Sequence, residues 1–469
     1  MSRVFKLLID GQLVDGASRL DVFNPATGKV FQHVPKADEA QALSSIAAAK
    51  KAFSAWAALT YTERAAYVIR FAEAIEANAE DLIRMLTHEQ GKPLEDARFE
   101  VLWAAANLKY HAAQELKTKV IRETAAEKII EQRSPLGVVV AIAPWNFPVW
   151  ILMSKIGAAL MTGNTAIGKP APTTPITTLM LGELAASIFP AGVFQTLVDE
   201  NELGPLLTSH PDVAYVSFTG STETGKKVLN STVATLKRST LELGGNDVAI
   251  VLDDADIKTV APKVFRAGFL NAGQICFAAK RVYVPNLMMK AFVAELVNLA
   301  QQARPGDGFD ATTTLGPVQN KAQYDKVRAF IDEAKDQGAV VVSGQQVPED
   351  GYFIAPTIVT GLADTARLVT EEQFGPVLPI LGYDNLDELI LRANDSNFGL
   401  GASVWTSDTD RGIEVASRIE AGTVWINTHV SLPFDVPFGG AKQSGIGQQG
   451  GIEGMQDYTQ VRIVNAALA

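Results

Sequence analysis

A series of short apolar runs, each separated from the next by a helical stretch, constrains this chain more than any other feature. Gly137-Val138-Val139-Val140-Ala141-Ile142 is continuous and unpunctuated, the pattern of a strand buried on both faces. Related runs recur at Thr165–Gly168, Gly192–Val198 and Val213–Phe218, with helical segments such as Thr177–Ile188 between them. Strands alternating with helices predict a parallel sheet covered on both faces. The alternation restarts after Glu242, at Asp247–Val251 and Arg281–Val284, which places a domain change near residue 243. A chain of 469 residues also exceeds the usual size of one core. From Ala37 to about Gln114 the chain is Ala-rich with apolar residues at helical spacing, and reads as several amphipathic helices. Lys128-Ile129-Ile130-Glu131 suggests an exposed strand or hairpin, and Val461-Arg462-Ile463-Val464 a lone strand that completes a sheet in a neighbouring subunit.

Charge and composition remove several function classes. The net charge of −11, without Lys/Arg clusters, argues against nucleic acid and anionic membranes as partners. No apolar run reaches the length of a spanning helix, and the N-terminal ten residues do not form a signal peptide, so the cytoplasm is the expected compartment. The single cysteine, Cys276, can neither close an internal disulfide nor build a thiolate zinc site. It is either an inert core residue or a nucleophile.

Four other segments bear on that choice. Phe218-Thr219-Gly220-Ser221-Thr222-Glu223-Thr224-Gly225-Lys226-Lys227 closes a strand and opens a helix, and nearly spells a P-loop. Lys227 stands where the magnesium-binding hydroxyl belongs, which argues against nucleotide hydrolysis. The glycines and helix N-terminus either offer N–H groups to a phosphate or merely permit a turn. In Pro144-Trp145-Asn146-Phe147-Pro148, Asn146 either donates to a developing oxyanion or caps the following helix. In Leu241-Glu242-Leu243-Gly244-Gly245-Asn246, Glu242 is either a base tuned by apolar surroundings or an ordinary surface acid. Glu371-Glu372-Gln373-Phe374 pairs an acid suited to sugar hydroxyls with a ring suited to a heterocycle.

Together and in this order these segments, with Gly168-Lys169-Pro170-Ala171 and Pro437-Phe438-Gly439-Gly440-Ala441-Lys442-Gln443-Ser444-Gly445, resemble the NAD(P)-dependent aldehyde dehydrogenase superfamily over essentially the whole chain. The resemblance implies an α/β fold of two parallel-sheet, Rossmann-type domains and a small oligomerisation sheet. Residues 1–110 and 134–243 would bind cofactor, 244–442 would form the catalytic domain, and 111–133 with 455–469 would join subunits into a homodimer or homotetramer. It further implies that Cys276 attacks an aldehyde, that Asn146 and the Cys276 N–H hold the oxyanion, and that Glu242 activates the water that releases the acid. Trp145, Lys169, Gly220, Ser221, Gly225, Gly244, Glu372 and Phe374 would contact NAD. Relatives that prefer NAD carry Glu three residues after the lysine; Pro172 stands there, which leaves room for NADP as well. The stretch Gly447-Gln448-Gln449 also replaces a common Gly-Arg-Glu, so a proton relay through that acid is absent.

Three positions bear on the substrate. Ser154, Leu270 and Leu432 replace the two arginines and the serine that hold a carboxylate in succinic semialdehyde dehydrogenases. Burying a carboxylate without partners costs several kcal/mol, so that substrate is disfavoured. Ser154 also leaves incomplete the aromatic box of betaine-aldehyde enzymes. Phe147, Trp150, Ile151, Phe277, Leu432 and Phe438 give an apolar lining, suited to medium-chain aliphatic or aromatic aldehydes. The alternatives are a semialdehyde enzyme with an atypical carboxylate site, for which Arg281 is the first candidate, and a non-catalytic structural relative.

Overall fold

The computed structural model describes residues 4–468. Its first sheet has eight strands, in the order Gln12–Val14, Leu7–Ile9, Phe194–Thr196, Thr165–Lys169, Val138–Ile142, Val213–Thr219, Arg238–Glu242 and Gly445–Ile446. The five strands from Phe194–Thr196 to Arg238–Glu242 are mutually parallel, and the flanking strands on either side run antiparallel. Every residue of Val138–Ile142 and Thr165–Lys169 is buried, as their unbroken apolar character requires of central strands. The Ala-rich region forms four helices, Glu39–Ala57, Tyr61–Ala77, Ala79–Gln90 and Leu94–Ala112, whose apolar faces share one core with this sheet.

The second sheet has seven strands, from Val340–Ser343 through Thr357–Thr360, Val377–Tyr383, Ala279–Pro285, Asp247–Val251 and Gly401–Trp405 to Thr423–Ile426. All but the first are parallel to their neighbours. Both sheets fit the α/β expectation. Register within the first sheet decides where chemistry can sit. Ile142 pairs with Lys169 and with Phe218, and Thr219 pairs with Glu242. Lys169, the turn after Ile142, the turn after Thr219 and Glu242 therefore stand in a row at the carboxyl ends of four parallel strands, where open α/β sheets bind ligands.

One expectation needs correction, and one element had none. The terminal strand is not alone: Thr459–Ala467 pairs antiparallel, over nine residues, with Glu127–Pro135 of the same chain, which pairs in turn with Lys119–Glu123. The N-terminal hairpin Leu7–Ile9/Gln12–Val14 was not anticipated. Its signal is present in Asp10-Gly11, both at positive φ, a two-residue turn between apolar runs. Among the described residues, no helix is long and apolar enough to cross a membrane.

Candidate active site

The turn that leads into Cys276 is built from strained backbone. Asn271, Ala272 and Gly273 all take left-handed φ values of 50–71°, costly for the first two and sustained only by strong surrounding contacts. Those contacts are amides. Asn271 Nδ2 donates to the carbonyls of Asn146 and Gln274, Gln274 Nε2 donates to the carbonyls of Asn271 and Pro317, and Asn146 Nδ2 donates to the Gln274 carbonyl at 2.8 Å. Asn146 is thus locked beside the turn that carries Cys276, with its second Nδ2 proton left for another acceptor.

Asn146 does not cap the helix Pro148–Met161, whose N-cap residue is Phe147 and receives no side-chain bond. Glu100 from a different helix does that work: its Oε1 accepts from the N–H groups of Val149 and Trp150, while its Oε2 lies 2.5 Å from Lys92 Nζ. Lys92 in turn donates to the Asn146 carbonyl at 2.9 Å and lies 3.8 Å from the centre of the Phe147 ring. Both charges are fully buried, so each depends on the other.

Glu242 is buried, not a surface acid. Its Oε1 has no hydrogen-bond partner among the described residues, and loss of water raises its pKa to about 8, partly offset by the charge of Lys155. Lys155 is itself buried, donates to Ser217 Oγ at 2.9 Å, and is lowered to about 7 by burial. The Cys276 thiol is pushed up by burial and partly brought down by Lys280.

One cavity brings these groups together. Cys276, Asn146 and Glu242 line it with all six apolar residues picked from the sequence: Phe147, Trp150, Ile151, Phe277, Leu432 and Phe438. Ser154, Thr219, Asn107 and Gln449 supply the polar part of the lining. An adjoining cavity, which shares Phe147, Trp150, Phe277 and Leu432 with it, adds Phe99, Trp103, Asp96 and Arg266. His429 fixes the wall: its ring bonds Ser403 Oγ and the Phe277 carbonyl, each at 2.8 Å. Phe434 packs on Trp103 and Tyr110 at the rim. Arg281 lies elsewhere, its guanidinium donating to the carbonyls of Asn246 and Ala393, so it cannot grip a substrate carboxylate.

The expected cofactor residues form a second group. Glu372 Oε1 accepts from the Gly245 N–H at 2.9 Å, and a Cβ on Gly244 would strike Glu372 Oε2, so that glycine is what admits the acid. Trp145 and Phe374 meet edge to face, 5.2 Å apart. Ser221 caps the helix Thr222–Thr232. The two glycines do not serve as phosphate donors: the Gly220 N–H bonds the Glu242 carbonyl and the Gly225 N–H bonds the Ser221 carbonyl. A Cβ on Gly225 would overlap Leu243, so this glycine lets helix and strand pack. The first-turn N–H groups of Thr222 and Glu223 remain as the natural anion donors. Lys169 Nζ is 2.5 Å from Asp199 Oδ1 and 3.3 Å from Asn201 Oδ1. Asp199, Lys155, Lys280, Lys92 and Glu100 are site residues the sequence motifs did not mark.

The model of the aldehyde dehydrogenase family matches residues 13–464. The chain belongs to the aldehyde dehydrogenase family. DhaS of Bacillus subtilis (strain 168), whose name places it among aldehyde dehydrogenases, is 37% identical, with 98% of this chain and 95% of that protein covered. A point-mutant structure of Bacillus cereus aldehyde dehydrogenase superposes with a TM-score of 0.97 at 36% identity, covering 100% of this chain and 97% of the other. Staphylococcus aureus betaine aldehyde dehydrogenase in complex with NAD+ gives 0.96 at 33% identity, covering 100% and 96%.

Proposed function

We propose that this aldehyde dehydrogenase oxidises an uncharged, apolar aldehyde, medium-chain aliphatic or aromatic, to its carboxylic acid with NAD. The observation that carries this reading is the cavity in which Cys276, Asn146 and Glu242 meet a wall of aromatic and aliphatic side chains, the basic residue Arg266 lining only the adjoining one. Cys276 Sγ attacks the carbonyl carbon, and the oxygen's charge falls to Asn146 Nδ2 and the Cys276 N–H. NAD, when bound, supplies the hydride acceptor. Glu242 then takes a proton from the water that cleaves the Cys276 thioester, so the product is a free acid.

The residues present suit that cofactor. A lysine, a carboxylate and a helix N-terminus match riboses and a pyrophosphate, so Lys169, Glu372 with Gly244, Ser221 with its helix, and Trp145 with Phe374 would hold it. On this reading residues 1–110 and 134–243 are the cofactor-binding domain and 244–442 the catalytic domain. The protein works in the cytoplasm.

An aldehyde panel tests the substrate. kcat/KM should rise from propanal to hexanal and benzaldehyde, since each further buried methylene adds roughly 0.8 kcal/mol. Succinic semialdehyde and betaine aldehyde should trail; either as the best substrate refutes the apolar assignment. NAD should be preferred over NADP despite Pro172, because the Lys169 ammonium is already paired with Asp199 and a 2′-phosphate would also approach Glu200, which shares a cavity wall with Pro172. Asp199→Asn should tighten NADPH binding about tenfold relative to NADH in fluorescence titrations. An unchanged ratio removes Asp199 from the discrimination.

A further inference from the structure

Lys280 is the second residue of the strand Ala279–Pro285, which follows the Cys276 turn, and its side chain folds back to that turn. Nζ donates to the carbonyls of Ile275, Cys276 and Ala278, the last two at 3.2 and 3.4 Å. The residue is 1% exposed. Its head also lies 5.5 Å from the centre of the Phe374 ring. Among the described residues it makes no ion pair within 4 Å, in contrast to the buried lysines Lys92 and Lys169. Three carbonyls could be satisfied by a neutral amide. An ammonium held by carbonyl dipoles alone is expensive to bury, and its charge stays available to whatever titrates nearby.

We infer that Lys280 is a positioning residue, whose buried ammonium both ties down the Cys276 turn and supplies the positive charge that favours the Cys276 thiolate. The charged groups around the thiol come from separate elements and do not all act in one direction. Lys280 opposes Glu242 at the end of the first sheet, Glu372 before the strand Val377–Tyr383, and Asp247 at the start of the adjacent strand. Burial lowers the pKa of Lys280 itself; Glu372, Asp247 and the Cys276 thiolate counter that and favour its charge, and Lys326 of the helix Lys321–Asp336 opposes it. Lys280 is the cation set against these three acids. Removing it should therefore raise the thiol pKa. This rests on Cys276 being the nucleophile only for its consequence in catalysis, since the coupling itself is read on the resting protein.

The test uses the fact that Cys276 is the only cysteine. Alkylation of the cofactor-free enzyme by iodoacetamide, followed by mass across a pH series, reports this thiol and no other. Lys280→Gln keeps N–H donors for the carbonyls and removes the charge. It should move the alkylation midpoint up by about one unit or more and slow the reaction about tenfold at a fixed pH below it. Lys280→Arg should hold the midpoint within about half a unit of the parent. A parental midpoint in Lys280→Gln, with the loss confined to kcat or KM, overturns the electrostatic role and leaves only a packing one. Should Lys280→Gln fail to fold, Lys280→Met, similar in size and uncharged, decides: its midpoint should rise by the same amount, and a parental midpoint overturns the proposal. Loss of aldehyde oxidation in Cys276→Ser would be a separate result, bearing on the proposed function alone.

Discussion

Burial sets the protonation behaviour of Glu242 more than any neighbour does, and that makes its role measurable. With its pKa near 8, it is a base only in the ionised fraction. If thioester hydrolysis limits turnover, kcat should rise about tenfold per pH unit below that value and level off above it. Glu242→Gln should flatten the profile, leaving a burst of about one reduced cofactor per site followed by slow turnover. Disappearance of the burst together with the steady state would assign Glu242 to the first step instead. The residues that carry local motifs, Cys276, Asn146 and Glu242, were legible in the sequence because each sits in a short, distinctive segment. Lys155, Lys280 and Asp199 were not. A lysine or aspartate in a strand or helix looks like surface until tertiary packing buries it, and nothing within a few residues announces the partner. The two glycines of the Gly220–Gly225 segment show the converse: the motif was visible, but their N–H groups are spent on the Glu242 and Ser221 carbonyls.

The helix Pro148–Met161 positions Asn146 through a cap borrowed from another helix. Glu100 bonds two N–H groups of its first turn and pairs with Lys92, which holds the Asn146 carbonyl. Removing one member leaves the other charge buried and unpaired, a loss of about 3–5 kcal/mol. Glu100→Ala should therefore lower the unfolding midpoint in denaturant by that equivalent and lose activity even where the fold persists. Glu100→Gln, which keeps the acceptor but not the charge, should be milder in stability. Equal effects from both would mean that the cap adds little beyond the ion pair. Element type was readable where periodicity was strong: the buried strands and the four Ala-rich helices follow from their apolar spacing. The cap was not readable, since its two halves are 49 residues apart in Glu100 and Val149 and a cap motif is recognised only when it is local. The N-terminal hairpin was readable from Asp10-Gly11 and went unread because its strands are three residues each.

At the scale of the whole molecule, the three-stranded sheet is the part that the chain does not finish by itself. Thr459–Ala467 pairs within the chain, contrary to its reading as a lone strand, yet the sheet still ends in two unpaired edges, on that strand and on Lys119–Glu123. It also exposes Val120, Ile121, Ile463 and Val464. Backbone edges and exposed β-branched side chains of this kind attract another chain unless covered. Pairing across a two-fold axis would cover an edge in each copy with a single kind of contact, and two such dimers would cover more. The expected state is therefore a homodimer or a dimer of dimers, seen by light scattering at micromolar concentration. Ile463→Asp adds a desolvated charge to the covered face and should shift the population towards monomer without touching the cavity, which lies among other elements. Activity per folded chain should then survive dilution poorly only to the extent that the sheet steadies the first domain, to which Arg238 ties it through the Thr459 carbonyl and Gln460. A parent protein that is monomeric at micromolar concentration would show that these edges are tolerated bare.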